Sequence, residues 1–173
     1  DVYLFAFREK EQMEDLRRGL EKATDAQAKA TLRGLIAQGE AYLKEMPAVP
    51  IELPTTTFDR SLVLHKKSRE IHLMFLGRGH TAGDVVVFLP KERVAATGDL
   101  AHGFLPWIGD SFPTEWPATI DRLRELDFNR ISPGHAGLQE GKALLGNFRN
   151  YLEELTGVVR RGMERGRTVA ELQ

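Results

Sequence analysis

Apolar residues in this chain follow two periods, and the change between them divides it. Residues 8–22 are rich in charge, with Met13, Leu16 and Leu20 at helical spacing, which predicts an amphipathic helix with one buried stripe. Thr24 with Gln27 reads as a capping box opening a second helix, with Leu32, Leu35, Ile36, Tyr42 and Leu43 as its buried face and Pro47 and Pro50 as its stop. Together they predict a charged helical hairpin over residues 8–46, able to pack on a sheet or to reach out as a lid or dimer arm. Ahead of it, Val2–Phe7 is a short apolar run with β-formers that opens the chain without a turn or cap and reads as a strand.

From Thr57 the period becomes two. Leu62 and Leu64 alternate with polar neighbours, residues 66–69 make a polar turn, and Ile71, Leu73 and Phe75 alternate again, which predicts a hairpin. Residues 85–89 are continuously apolar, the pattern of a strand covered on both faces, and Val94-Ala95-Ala96 returns after a turn at residues 90–93. A loop over residues 104–113 leads to a helix near 114–126 with Trp116, Ile120 and Leu123 on one face. A brief strand at residues 130–132 precedes a long helix over 138–165, striped by Leu144, Phe148, Leu152, Leu155 and Val159. Thr168 with Glu171 forms a last capping box with almost no helix after it, so both ends of the chain read as cut.

Three short motifs sit at the ends of the predicted strands: Gly79-His80-Thr81-Ala82-Gly83-Asp84, Thr97-Gly98-Asp99 and Pro133-Gly134-His135. Each places a metal-competent side chain in a glycine-containing loop beside an apolar run, where a rigid sheet can aim it. An imidazole on such a loop presents a nitrogen to zinc if its other nitrogen is held by an acceptor. Asp84 offers a carboxylate either to orient the first loop or to bind. Asp99 ends an apolar strand, where an unpaired carboxylate is costly, so either a metal or a hydrogen-bond network is expected around it. Any one of these motifs also fits an ordinary turn; their order and shared placement point to a metal site.

The remaining histidines carry less. His102 reads as a surface-loop residue rather than a pocket wall, and His65 and His72 as solvated or edge residues of the hairpin. Phe104, Pro106 and Trp107 fit an apolar wall over the site and ordinary loop packing equally. The Arg160, Arg161, Arg165 and Arg167 cluster reads as the basic bias of a helix C-terminus.

Composition narrows the partners. The chain has 173 residues, enough for one domain with a core, and is expected to form a single domain over 1–173, with the metal motifs in 57–165. Lys plus Arg (24) balances Asp plus Glu (25), which leaves no overall field to recruit nucleic acid or an anionic membrane and favours a small-molecule substrate. The absence of cysteine excludes disulfides and thiolate ligands, so His, Asp and Glu alone are left to hold a metal. With no apolar stretch of the ~20 residues that span a bilayer and no signal-peptide pattern, the chain reads as soluble, with cytoplasm and periplasm both open.

Over residues 57–165, the three motifs in this order closely resemble the metallo-β-lactamase superfamily, whose second half carries Gly-His-Thr-x-Gly-Asp, Thr-Gly-Asp and Pro-Gly-His. The resemblance implies an α/β fold, the αβ/βα sandwich, of which this chain carries mainly the second half, and a site for one or two zinc ions. It implies His80 as a ligand of a first metal, Asp99 as a bridging and catalytic carboxylate, and His135 as a ligand of a second. The family's His-x-His-x-Asp-His motif has no match here, and residue 1 falls just after its expected place. Members that cleave β-lactams often carry cysteine or serine near the Asp99 step. Those resembling glyoxalase II, lactonases or phosphodiesterases carry Asp.

The function implied is metal-assisted hydrolysis of an ester, lactone, thioester, amide or phosphoester. The alternative is a non-catalytic half-domain serving as a binding or assembly module. Because His80, Asp99 and His135 would be shared between two metals, this chain alone is expected to hold zinc weakly and to be nearly inactive. An uncovered sheet face carrying Ile71, Phe75, Val85 and Val87 is expected to drive homodimerisation, with a second copy or its helices 8–46 taking the place of the absent half.

Overall fold

The computed structural model describes residues 2–50 and 52–172, which form an α/β structure in two compact units, Asp1–Thr55 and Thr56–Gln173. The first unit holds α1 (Val2–Lys22) and α2 (Ala26–Glu45), packed on each other and closed by a single 3-10 turn at Met46–Ala48. Val2–Phe7 is therefore helical, contrary to the strand expected. An apolar run can leave no backbone group unpaired, and all strands among the described residues lie between 61 and 140, so the run extends the charged helix behind it. Asp25, one residue later than Thr24, caps α2: its backbone is extended and its side chain accepts from the Ala28 amide at 2.7 Å. Met13 is buried against Gly39, whereas Leu35 and Tyr42 of the expected buried face are exposed. An Arg17–Glu40 ion pair at 2.9 Å links the two helices on their exposed side.

In the second unit a six-stranded sheet runs in sequence order: β1 (Ser61–Lys66), β2 (Arg69–Met74), β3 (Val86–Leu89), β4 (Val94–Gly98), β5 (Arg130–Pro133) and β6 (Gln139–Glu140). All neighbours are antiparallel except β4 and β5, whose parallel pairing needs the crossover that α3 (Trp116–Glu125) supplies. The hairpin forms as its alternation predicts, with Lys66 opposite Arg69 and Lys67 at φ 55° in the two-residue turn. α4 (Ala143–Glu164) begins five residues later than its hydrophobic pattern suggests, because Gln139–Glu140 is drawn into pairing with β5 and Gly141 turns the chain at φ 74°.

One face of the sheet carries the core. Val86, Phe88, Ala95 and Ile131 pack against Trp116, Ile120 and Leu123 of α3 and Leu145, Phe148 and Leu152 of α4. Each such large side chain contributes about 1.5–3 kcal/mol when fully buried. Leu145 takes a place in the α4 stripe, and Val159, expected there, is exposed. β3 is not covered on both faces: burial alternates along it, and Val85 just before it is 40% exposed. The other face presents Leu62, Leu73 and Val87 half-buried and Leu64 exposed, brought into one row by the register Leu62–Leu73–Val87–Ala96. Of the expected αβ/βα sandwich, this unit forms one sheet with helices on a single face.

The capping box at Thr168 forms, with the Thr168 amide donating to Glu171 at 2.8 Å, and only the 3-10 turn Val169–Glu171 follows. No helix among the described residues is long and apolar enough to cross a membrane.

The core accounting gives a direct stability test. Leu152→Ala should destabilise the chain by about 2–5 kcal/mol, read as a lowered urea midpoint. Val158→Ala, on an exposed position of the same helix, should stay within about 0.5 kcal/mol.

Candidate metal centre

β4 carries Asp99 to the top of the sheet. The register against β5 shifts between Ala96 and Gly98, a bulge that re-aims the strand end, and Gly98 then adopts φ 51°, a conformation that L side chains rarely take. Asp99 opens a 3-10 turn, Asp99–Ala101, that His102 caps. Side chains three residues apart eclipse in such a turn, so Asp99 and His102 are delivered to one side. Leu100 and Ala101 point into the core, and the Leu100 carbonyl accepts from the Trp116 indole N–H at 2.9 Å.

The other two motifs are tied to this turn. The amides of Gly134 and His135 each donate, at 3.3 Å, to the carbonyls of Ala101 and His102 respectively. Gly134 passes so close that a Cβ there would lie 2.0 Å from Asp99 Oδ1, so only glycine lets the two loops approach. In the first loop, Asp84 orients the chain rather than facing the site. Its carboxylate accepts from the Thr81 amide at 3.1 Å and from the Thr81 hydroxyl at 2.6 Å. The Gly79 carbonyl is held by the Phe112 amide at 2.8 Å. His80 emerges between these anchors, its ring 5.7 Å from that of Trp116.

The structure brings the three sequence-identified residues together. His80 Nε2 lies 3.5 Å from Asp99 Oδ2, and His135 Nε2 lies 3.2 Å from Asp99 Oδ1, so the carboxylate offers one oxygen to each imidazole. His102 joins them, against its reading as a surface residue. It is only 6% exposed, stacks on His135 at 4.4 Å between ring centroids and meets the edge of Phe104 at 4.7 Å. One ligand atom each from Asp99, His102 and His135 falls within a 4.8 Å group. His102 was findable in the sequence only through the three-residue offset from Asp99, and that offset carries meaning only once the turn is known to be 3-10.

Burial pushes the His102 imidazole below its ordinary pKa, and the neighbouring His135 and His80 act in the same direction; Asp99 opposes them. A neutral imidazole keeps a lone pair free for a metal. The buried Nδ1 atoms of His80 and His102 find no hydrogen-bond partner among the described residues. Three imidazoles around one carboxylate form a donor set suited to a borderline divalent ion such as zinc. The residues present therefore fit such a metal.

His65 is exposed and beside Glu70, apart from the site, as expected. His72 is half-buried, edge-on to Phe88 at 6.1 Å. Phe104 and Leu105 are exposed beside an apolar cleft of about 390 Å3 that Leu144, Phe148 and Tyr151 also line.

Residues 6–135 match the sequence profile of the Metallo-beta-lactamase superfamily. The chain belongs to that superfamily. The match takes in helical residues upstream of 57 that the motifs alone do not reach. Among curated relatives, the chain is 28% identical over 82 residues to a "Metallo-beta-lactamase type 2" of Bacillus sp. (strain 170), covering 44% of this chain and 32% of that protein. It is 39% identical over 67 residues to "Metallo-beta-lactamase IND-1" of Chryseobacterium indologenes, covering 35% of this chain and 28% of that protein. The chain thus spans about a third of the length of the curated relatives it matches. A solved metallo-beta-lactamase from Pontibacter korlensis superposes with a TM-score of 0.54 at 26% identity, covering 59% of this chain and 50% of that one. The superfamily is one of hydrolases, and the α/β architecture is shared with them.

Trp116→Phe should keep the volume of the core nearly intact yet leave the buried Leu100 carbonyl unpaired. A loss of about 1–3 kcal/mol on thermal unfolding is expected. An unchanged midpoint would mean that the indole N–H does not hold the Asp99 turn.

Proposed function

We propose that the protein of which this chain forms part is a metal-dependent hydrolase, with His80, Asp99 and His135 as metal ligands and Asp99 as the bridging, catalytic carboxylate. The observation that carries this reading is the convergence of both imidazoles on the two oxygens of Asp99, from three separate loops. A bound zinc ion supplies a water acidified toward neutral pH and a positive charge for the developing oxyanion. The chain's own residues supply the rest. Asp99 orients both imidazoles, Asp84 and the Gly79 carbonyl fix the His80 loop, and Gly134 lets His135 close on Asp99. Phe104 and Leu105, beside the apolar cleft, suit a small substrate with an apolar part.

Aspartate at position 99, where β-lactam-cleaving members often carry cysteine or serine, favours an ester, lactone, thioester or phosphoester over a β-lactam. In the protein assayed with saturating zinc against a panel of these substrates, Asp99→Ala should lose most hydrolysis while its far-UV dichroism is unchanged, and His80→Ala should follow it. Parent-like turnover in either variant would remove the reading.

The exposed Leu64 and Val85, with half-buried Leu62, Leu73 and Val87, support a further proposal of homodimerisation through this sheet face. An apolar face left in water favours a second apolar face at ~25 cal/mol per Å2 buried. Light scattering at micromolar concentration should give twice the chain mass, and Val87→Lys should return it to one. A parent that scatters as a monomer and binds no apolar dye would rule this out.

A further inference from the structure

We infer that His102 is itself a metal ligand, joining Asp99 and His135 in a three-donor group for one of the metals that Asp99 bridges. The inference rests on the metal-site reading above and extends it beyond the residues that the three motifs supply.

Position is the first argument. The 3-10 turn after β4 sets His102 on the same side as Asp99, and the backbone bond from the His135 amide to the His102 carbonyl locks the two loops in register. The ligand atoms of Asp99, His102 and His135 already lie within 4.8 Å of one another. Ligands of a tetrahedral zinc at 2.0–2.1 Å stand roughly 3.3 Å apart, so a modest side-chain rotation closes the group.

Burial is the second. His102 is 6% exposed, yet its Nδ1 has no hydrogen-bond partner. A histidine with a purely structural role would use that nitrogen, because buried polar atoms are nearly always paired. Phe104 presents its ring edge to it, and His135 its face. In the tautomer that leaves Nδ1 unprotonated, a cation is an occupant that would use its lone pair.

The chemistry fixes the class of ion. Imidazole nitrogens with one carboxylate suit zinc or a neighbouring borderline divalent metal and disfavour calcium and magnesium, which take oxygen ligands. A third donor also alters the expectation of weak binding. His80, Asp99 and His135 divided between two metals leave each poorly held, whereas Asp99, His102 and His135 give one of them three ligands, the number a catalytic zinc takes from protein.

The test is titration of the chelator-stripped chain with Zn2+ and Co2+, with X-ray absorption at the zinc edge of the loaded, unmutated protein. Expected are one ion held per chain, visible Co2+ bands of four-coordinate intensity, and an edge spectrum fitted by two imidazoles. His102→Gln, which retains a hydrogen-bonding side chain, should weaken zinc by about 100-fold and shift the Co2+ bands, with dichroism confirming the apo fold. If His102→Gln binds as the parent does while Asp99→Ala and His135→Ala lose the ion, the metal site stands and the role of His102 falls. If Asp99→Ala also binds as the parent does, the metal reading itself falls. A parent that binds no zinc at millimolar concentration, or an edge spectrum with fewer than two imidazoles, overturns the three-donor group without recourse to any variant.

Discussion

The hydrogen bond from the Trp116 indole to the Leu100 carbonyl joins two otherwise separate demands on this fold. On its apolar side, Trp116 is fully buried and meets Phe148 edge-on at 5.2 Å, so it belongs to the core between sheet and helices. On its polar side, it satisfies a backbone carbonyl in the turn that bears Asp99. Packing the core therefore also sets the direction of the carboxylate. The ring extends to the first loop as well, standing 5.7 Å from His80. One side chain thus couples the depth of the core to the spacing between His80 and Asp99.

The site is rigid for a second reason. Its side chains come from loops, but the loops are cross-braced by backbone bonds, as Gly134 to Ala101 and His135 to His102 show. Such bracing requires close approach, and close approach requires the absence of a Cβ at Gly134. Gly79 and Gly134 are thus packing requirements of their loops, since a Cβ at Gly79 would lie 2.5 Å from Leu100, whereas Gly98 is required by its φ of 51°.

Most of the second unit was legible in the sequence because its signals are local. The 66–69 turn, the Trp116–Ile120–Leu123 face and the three loop motifs each depend on neighbours a few residues away, and each lies where its pattern places it. The failures have one cause in common. Val2–Phe7 has β-forming side chains but no strand to pair with, and β3 is apolar throughout but has helices on one face only. Gln139–Glu140 lies within a helical pattern but is captured by the edge of β5. In each case the deciding factor lies outside the run of residues itself, so structural context overrides the local pattern. His102 is the sharpest instance: nothing in its neighbours marks it as buried, and the turn geometry, Phe104 and the arrival of His135 enclose it.

That enclosure bears on how the site persists. Burial around His102 works against protonation there, and Asp99 alone opposes it. The same low polarity that disfavours a proton leaves Nδ1 of His80 and of His102 without partners, an arrangement costing about 1–3 kcal/mol for each unpaired group. Leu100, Ala101, Trp116 and Phe148 belong to the core beneath the site, and at about 1.5–3 kcal/mol for each large side chain fully buried, that burial is of the same order as the cost of two unpaired nitrogens.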